Sequence, residues 1–478
     1  MYTNLTKILV SVIVGLLIHR TATAQHQELD EQPNLYKGKQ TASTDTSSLL
    51  HAFKTGKFNG HFRYFFMATD NAPGLTDYYA NAAGGGLRFE TARFHGFQMA
   101  VSGFYIFNIG SSDFTKADTA TGRYNRYETA LFDIEDPTNK KDIDRLEEFY
   151  LRYNYHHAHL TLGRQLVNTP LINLQDGRMR ATGVEGAWLE MGQINSTRIE
   201  GGWLYAVSPR STVKWYNAGQ SIGIYPGGVN PDGTASSYAH HIKSNGIAVT
   251  GITTIIKKQL TLQVWNLWAE NVFNTTLVQA EWRWPLSNGS SFFSALQFIR
   301  QTAVATGGNA DPAKTYFAKG QQSFSMGGRA GWKNKYWEAT LNTNRITAHG
   351  RYLLPREWGR EPFFTYLPRE RNEGTGDVYA LMAKLDYQFP STGLKSSLAA
   401  GYYHLPDVKN HRLNKYGLVA YTQVNADIRY AMGGLLKGME AQLLIVGKIS
   451  NGETYHNKNY EFNKVNMVQY NLVVNYHF

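Results

Sequence analysis

Two segments of this 478-residue chain gather the side chains that could do chemistry. One begins at Leu162-Gly163-Arg164-Gln165 and ends at Glu185-Gly186-Ala187-Trp188, with Thr169-Pro170 and Asp176-Gly177-Arg178-Met179-Arg180 between. The other is Arg356-Glu357-Trp358-Gly359-Arg360-Glu361-Pro362 through Pro368-Arg369-Glu370-Arg371-Asn372-Glu373-Gly374, dense in arginine, glutamate and aromatics. A guanidinium is always charged and grips a carboxylate through a fork of donors, so these segments are equipped to handle anions. Each arginine also has a plainer use: it can pair with Glu357, Glu361, Glu370 or Glu373 and pin its own loop. No covalent chemistry accompanies them, since there is no nucleophile elbow, no HExxH and no cysteine. The run His156-His157-Ala158-His159 lacks convergent acid or cysteine partners and reads as a solvated turn rather than a metal site. Gly84-Gly85-Gly86 is followed by no helix and no lysine-threonine pair, so it is not a phosphate loop. Its thin profile suits a wall against which a loop folds.

The elements that must hold these segments are strands. From Lys57 onward apolar and polar side chains alternate with period two, in about eighteen segments. Residues 58–69 place Phe58, Gly60, Phe62, Tyr64 and Phe66 opposite His61 and Arg63. Residues 147–156 set Phe149, Leu151, Tyr153 and Tyr155 against Glu148, Tyr150, Arg152 and Asn154, and 78–91 set Leu87 and Phe89 against Arg88 and Glu90. In 465–478, Phe478, Tyr476, Val474, Leu472, Tyr470 and Val468 share a face, with Val473 the apolar intruder on the other. A soluble sandwich also alternates, but it does not so consistently put Phe, Tyr, Leu and Val on one side and charges on the other. A strand bathed in hydrocarbon must pair every N–H and C=O with neighbours, which a closed barrel achieves. Connections are short near His157-Ala158, 257–259, 333–335 and 390–395, and long at 110–145, 166–183, 208–241, 302–322 and 346–376. The pattern predicts an all-β fold: a single transmembrane antiparallel β-barrel of about 18 strands, with tight periplasmic turns and long extracellular loops.

The N-terminus reads as an export signal over residues 1–24. Lys7 precedes an eleven-residue apolar stretch, 8–18, too short for a membrane anchor, and Ala22-Thr23-Ala24 fits the cleavage pattern. A polar periplasmic leader, 25–56, then precedes the barrel domain, 57–478. The formal charge of +11, or +9 without Lys7 and Arg20, suits a lumen that attracts anions better than nucleic acid. Thirty tyrosines, 24 phenylalanines and 10 tryptophans are enough to girdle a barrel at both membrane interfaces.

The chain resembles the OprD-type porins, the outer-membrane carboxylate channels. The likeness begins at Leu49-Leu50-His51-Ala52-Phe53-Lys54-Thr55-Gly56-Lys57. It is most specific at Gly163-Arg164-Gln165 with Thr169-Pro170, at Arg178-Met179 to Trp188, and at Arg356-Glu357-Trp358-Gly359-Arg360 through Pro368 to Gly374. It implies an eighteen-stranded barrel in the Gram-negative outer membrane whose third and seventh extracellular loops fold inward. It also implies passive, substrate-selective diffusion of small carboxylate-bearing solutes along a row of arginines. The residues this implicates are Arg178, Arg180, Arg356, Arg360, Glu361, Arg369, Glu370 and Arg371 from the loops, and Arg88 and Arg152 from the wall, with Arg63, Arg283 and Arg329 also inward by parity. The expected partners are outer-membrane lipids, lipopolysaccharide, the solutes themselves and, through the strand ending in Phe478, the barrel-assembly machinery. No cofactor, metal or nucleic acid is expected. A barrel enzyme of lipase or protease type and a non-selective porin are the alternatives. Two features depart from the family pattern. Arg180-Ala181-Thr182-Gly183-Val184 stands where proline and phenylalanine are common, and Arg164 shares the lipid-facing parity of Leu160 and Leu162.

Overall fold

Eighteen long strands, each hydrogen-bonded to its antiparallel neighbours in chain order, close on themselves. They are β1 (Lys57–Asp70), β2 (Tyr78–Glu90), β3 (Phe97–Asn108), β4 (Asp144–Tyr155), β5 (Ala158–Gln165), β6 (Gly183–Ile194), β7 (Thr197–Ser208), β8 (Ile247–Ile256) and β9 (Leu260–Ala269). The second half is β10 (Phe273–Pro285), β11 (Ser291–Ala303), β12 (Gln322–Lys333), β13 (Trp337–Ile346), β14 (Val378–Gln388), β15 (Leu394–His404), β16 (Tyr421–Ala431), β17 (Met439–Ser450) and β18 (Met467–His477). The closing seam pairs β18 with β1, from Val468 opposite Asp70 to His477 opposite His61. The computed structural model describes residues 20–21, 45–139, 143–175, 177–194, 196–369 and 371–478. The expected signal segment therefore lies almost wholly outside the described residues. Within the expected leader, Leu49–Lys54 forms a short helix, α1.

The distribution of side chains is the inverse of a soluble protein's. Phe58, Leu296 and Leu341 are more than 60% exposed, while Gln301, Gln423 and Gln469 on the opposite parity are fully buried. Lipid covers the first set and lumen contacts satisfy the second. Aromatics gather toward the short-turn rim, where the tilted rings of Trp337 and Tyr387 lie 4.2 Å apart, and where Trp284, Tyr155 and Phe478 stand exposed. The short turns themselves are tight: Lys257 and Lys258 both have positive φ in the three-residue turn that joins Ile256 to its partner Leu260.

The lumen is filled from one end by loops. The third loop, 166–182, and the seventh, 347–377, lie inside the barrel, as the resemblance implied. Several strands hold the seventh loop across the lumen. From β11, Gln301 Nε2 donates to the Leu353 carbonyl (2.8 Å) and Gln297 Nε2 to that of Pro362 (3.0 Å). From β15 and β16, Tyr403 OH donates to the Thr365 carbonyl (2.6 Å) and Gln423 Nε2 to that of Pro368 (2.8 Å). Glycines thin the wall where the loops touch it. A Cβ on Gly84 would lie 3.0 Å from Met179 of the third loop, and one on Gly327 would lie 3.3 Å from Phe364 of the seventh. A hydrophobic core thus forms under the loops, inside the barrel, around Leu171, Phe273, Phe317, Tyr352 and Trp358, all essentially unexposed.

Candidate functional site

A cavity of about 1690 Å³ lies inside the barrel and is lined by residues of both inward loops. Among the described residues eighteen lysines and arginines but only seven aspartates and glutamates line it, an excess of positive charge. These charges are arranged differently at two levels.

At the short-turn level the charges form a belt of ion pairs. Arg88, near the end of β2, bonds Glu148 at 3.0 Å and Glu90 at 3.3 Å, and donates to Tyr150 OH at 2.8 Å. Arg152 lies 3.7 Å from Glu90. Around the same rim Arg198 pairs with Glu190 and Glu200 (both 3.0 Å), Lys384 with Asp386 (3.4 Å) and Arg429 with Asp427 (3.0 Å). The repeated cause is local. Residues i and i+2 of one strand share the lumen face, so a cation two places from an acid meets it.

At the loop level the cations outnumber their partners. Gly177 sits among three guanidiniums: its missing Cβ would be 3.3 Å from Arg210 Nη1 and 3.5 Å from Arg369 Nη1, with Arg178 next in the chain. Their hydrogen bonds go to neutral groups. Arg178 donates to the Gly177 carbonyl at 2.6 Å and Arg210 to that of Gln175 at 3.2 Å, while Arg369 donates to Gln469 and Asn471, both at 2.6 Å. Among the described residues no carboxylate forms an ion pair with any of the three; Asp176 and Glu370 lie outside the described residues. Burial, then the neighbouring Arg369 and Arg210, press the Arg178 guanidinium below its ordinary pKa. Burial and Arg210 do the same to Arg369. Tyr127, from the second loop, stands beside this cluster. Burial would raise its phenol, yet Arg126, Lys448 and Arg369 draw it down to about 8.

The remaining loop arginines are more committed. Arg371 reaches Glu361 at 3.7 Å and donates to the Gly359 carbonyl, while Glu361, almost fully buried, accepts from the Asn372 N–H at 2.7 Å. Arg356 bonds Glu373 at 2.8 Å under the ring of Tyr416. Arg360 covers Tyr366, and its backbone is tied to Asn173, which stitches the seventh loop to the third. Arg371, Glu361, Arg356 and Arg360 all still border the cavity. Arg180 does not. Fully buried behind the third loop, it donates to the Thr212 carbonyl at 3.1 Å and lies 4.0 Å from Glu147, which also pairs with Arg145 at 2.8 Å. Spacing from Arg178 put both on the same loop, but alternate residues here point to opposite sides of a tightly packed turn. Arg164 keeps its outward parity and meets Glu185 at 3.1 Å beneath Trp215. The region 180–184 is not loose: Thr182 and Ala181 are buried, and the Thr182 N–H bonds the Leu174 carbonyl. Arg63 and Arg329 border the cavity, as parity implied. Sequence reasoning missed Arg126, Arg210 and Lys448. Lys448 was findable, being on the lumen parity of β17; the other two sit on irregular loops with no period to read.

A closed barrel with a greasy exterior, a wet interior and loops folded into its lumen defines a channel of the outer membrane. The chain matches the outer membrane porin, OprD family, over residues 56–347, and it belongs to that family. Its fold is similar to that of OpdK from Pseudomonas aeruginosa, solved with vanillate, at TM-score 0.69 and 14% identity over 89% of this chain and 99% of that one. It is also similar to OccAB4 from Acinetobacter baumannii, at TM-score 0.68 and 17% identity over 94% and 100%. OccK9 (OpdG) from Pseudomonas aeruginosa gives 0.69 and 13% over 89% and 99%. No curated protein sequence gives a significant match. As a porin it is a channel and not an enzyme.

Proposed function

We propose that this porin admits small carboxylate-bearing solutes by passive diffusion, and that Arg178, Arg210 and Arg369 form the step that selects them. The observation that carries the reading is the convergence of these three guanidiniums around Gly177 with neutral partners. Like charges held together raise one another's energy, and a passing carboxylate relieves that. At an effective dielectric of about 20, a carboxylate roughly 6 Å from one guanidinium gains about 3 kcal/mol before desolvation is subtracted. Three such neighbours make a site strong enough to recruit an anion, and the neighbouring Arg360, Arg371 and Lys448 offer the next footholds, so that it leaves again. Vanillate, present in the OpdK structure, is a solute of this chemistry. In the same reading residues 1–24 direct export and are removed before Gln25, and the strand ending in Phe478 presents the chain to the barrel-assembly machinery.

Reconstitution in planar bilayers tests the selective step. Reversal potentials in a salt gradient should show anion preference in the native channel and a clear fall with Arg178→Ala or Arg369→Ala. Anion preference left intact by both substitutions would remove the arginine cluster from the mechanism.

A further inference from the structure

We infer that helix α1 is an interfacial anchor: Leu49, Leu50 and Phe53 embed in the phospholipid of the periplasmic leaflet, while the opposite side of the same helix walls the channel mouth. This does not depend on the identity of the solute. The helix is about one and a half turns long, yet it divides cleanly at about 100° per residue. Leu49, Leu50 and Phe53 occupy one sector and are 56%, 64% and 43% exposed. His51 and Thr55, one turn apart on a second sector, border the aqueous cavity. Ala52, on a third, is buried and accepts a hydrogen bond at its carbonyl from the Ala92 N–H at 3.0 Å, which fixes the helix to the turn between β2 and β3.

Fixing is thorough enough to set that orientation. Thr46 Oγ1 donates to the Arg93 carbonyl at 2.9 Å, and the Gly96 N–H donates to Asp45 at 3.1 Å. Ser48 caps the first turn, and Thr55 N–H closes the last on the His51 carbonyl at 2.9 Å. Gly56 lets the helix end lie flat on the barrel, since a Cβ there would overlap the Phe89 ring at 2.6 Å.

The occupant of the apolar sector follows from what it adjoins. Phe53 stacks on Phe89 at 6.3 Å, and Phe89 packs against Phe58 at 5.9 Å. Phe58 and Phe89 are cross-strand neighbours on the outer, lipid-facing parity of β1 and β2, close to the short-turn rim. The apolar sector of α1 is therefore continuous with the membrane-facing band and extends it inward of the rim aromatics. Leucine and phenylalanine on one side with Lys54 beyond them suit the headgroup–acyl boundary.

The absence of cysteine allows single-site labelling. Nitroxide labels at Leu50→Cys, Lys54→Cys and, as a lipid reference, Leu87→Cys are compared in phosphatidylethanolamine/phosphatidylglycerol vesicles. The label at 50 should favour oxygen over a water-soluble nickel chelate, as at 87, and the label at 54 should show the reverse. Nickel access at 50 equal to that at 54 would overturn the anchor, as would an oxygen preference at 50 that appears only when a periplasmic extract is added. For the other face, a charged thiol reagent applied from the short-turn side should cause stepwise conductance loss in His51→Cys and none in Leu50→Cys. Equal effects at both positions would deny the helix its two-sided placement.

Discussion

The two levels of this lumen use the same residue types to opposite ends. At the short-turn rim Arg88, Arg198, Lys384 and Arg429 each have an acid within 3.4 Å. At the loop level Arg178, Arg210 and Arg369 have amides, carbonyls and one another. A paired charge is neutral at the scale of a solute and serves the wall; a charge without a counter-ion within reach projects its field into the channel. Arginine content alone does not make a selective pore. What matters is whether the scaffold brings an acid to each arginine: strands do so two residues away, the seventh loop does so for Arg356 and Arg371, and among the described residues nothing does so for Arg178, Arg210 or Arg369.

Four measurements would break or sharpen that contrast. The largest effect is expected from the double substitution Arg178→Ala with Arg369→Ala. Removing two charges worth about 2–3 kcal/mol each at this range should lower the anion-to-cation permeability ratio at least tenfold in bilayer recordings. Next is Glu147→Ala. It strands Arg145 and Arg180 without their buried carboxylate, a change of about 3–5 kcal/mol, and should lower the thermal unfolding midpoint and add conductance noise as the third loop loosens. A native-like midpoint would remove Arg180 from its role as a buried tie. The third concerns pH. Because the Tyr127 phenol sits at about 8 rather than near 10, its phenolate forms as pH rises through that value and offsets one charge of the cluster. Anion preference should decline between pH 7 and 9 in the native channel, and Tyr127→Phe should remove most of that decline. The smallest effect is expected from removing a whole rim pair, Asp427→Asn with Arg429→Gln: selectivity within about twofold of native, because the two charges offset one another. A drop matching that of Arg369→Ala would mean the belt and the cluster act alike.

Much of the barrel was legible because its cause is periodic. Phe58 and Arg63 had to face opposite ways in any strand, and lipid on one side and water on the other made each strand carry that signature. The same parity correctly placed Arg88, Arg152 and Arg329 on the lumen and kept Arg164 off it. It also put Lys384 and Asp386 on one inward face, and the two meet there at 3.4 Å. Helix α1 escaped notice because six residues carry too little periodicity to separate from an irregular leader.

The amino-acid order by itself determined the closed sheet, its handing of apolar and polar faces to lipid and water, and the two arginine-rich loops that enter it. Only the tertiary structure decided which of those arginines border the cavity. Arg178 and Arg180 differ by two positions in one loop, yet one borders the cavity and the other is sealed against Glu147 and Thr212. Arg210 reaches the site from a different loop altogether. A chain that crosses a lumen without a repeating hydrogen-bond pattern has its side-chain directions set by what it packs against. Those contacts come from strands far along the chain, such as β16 and β18 for the stretch 368–369.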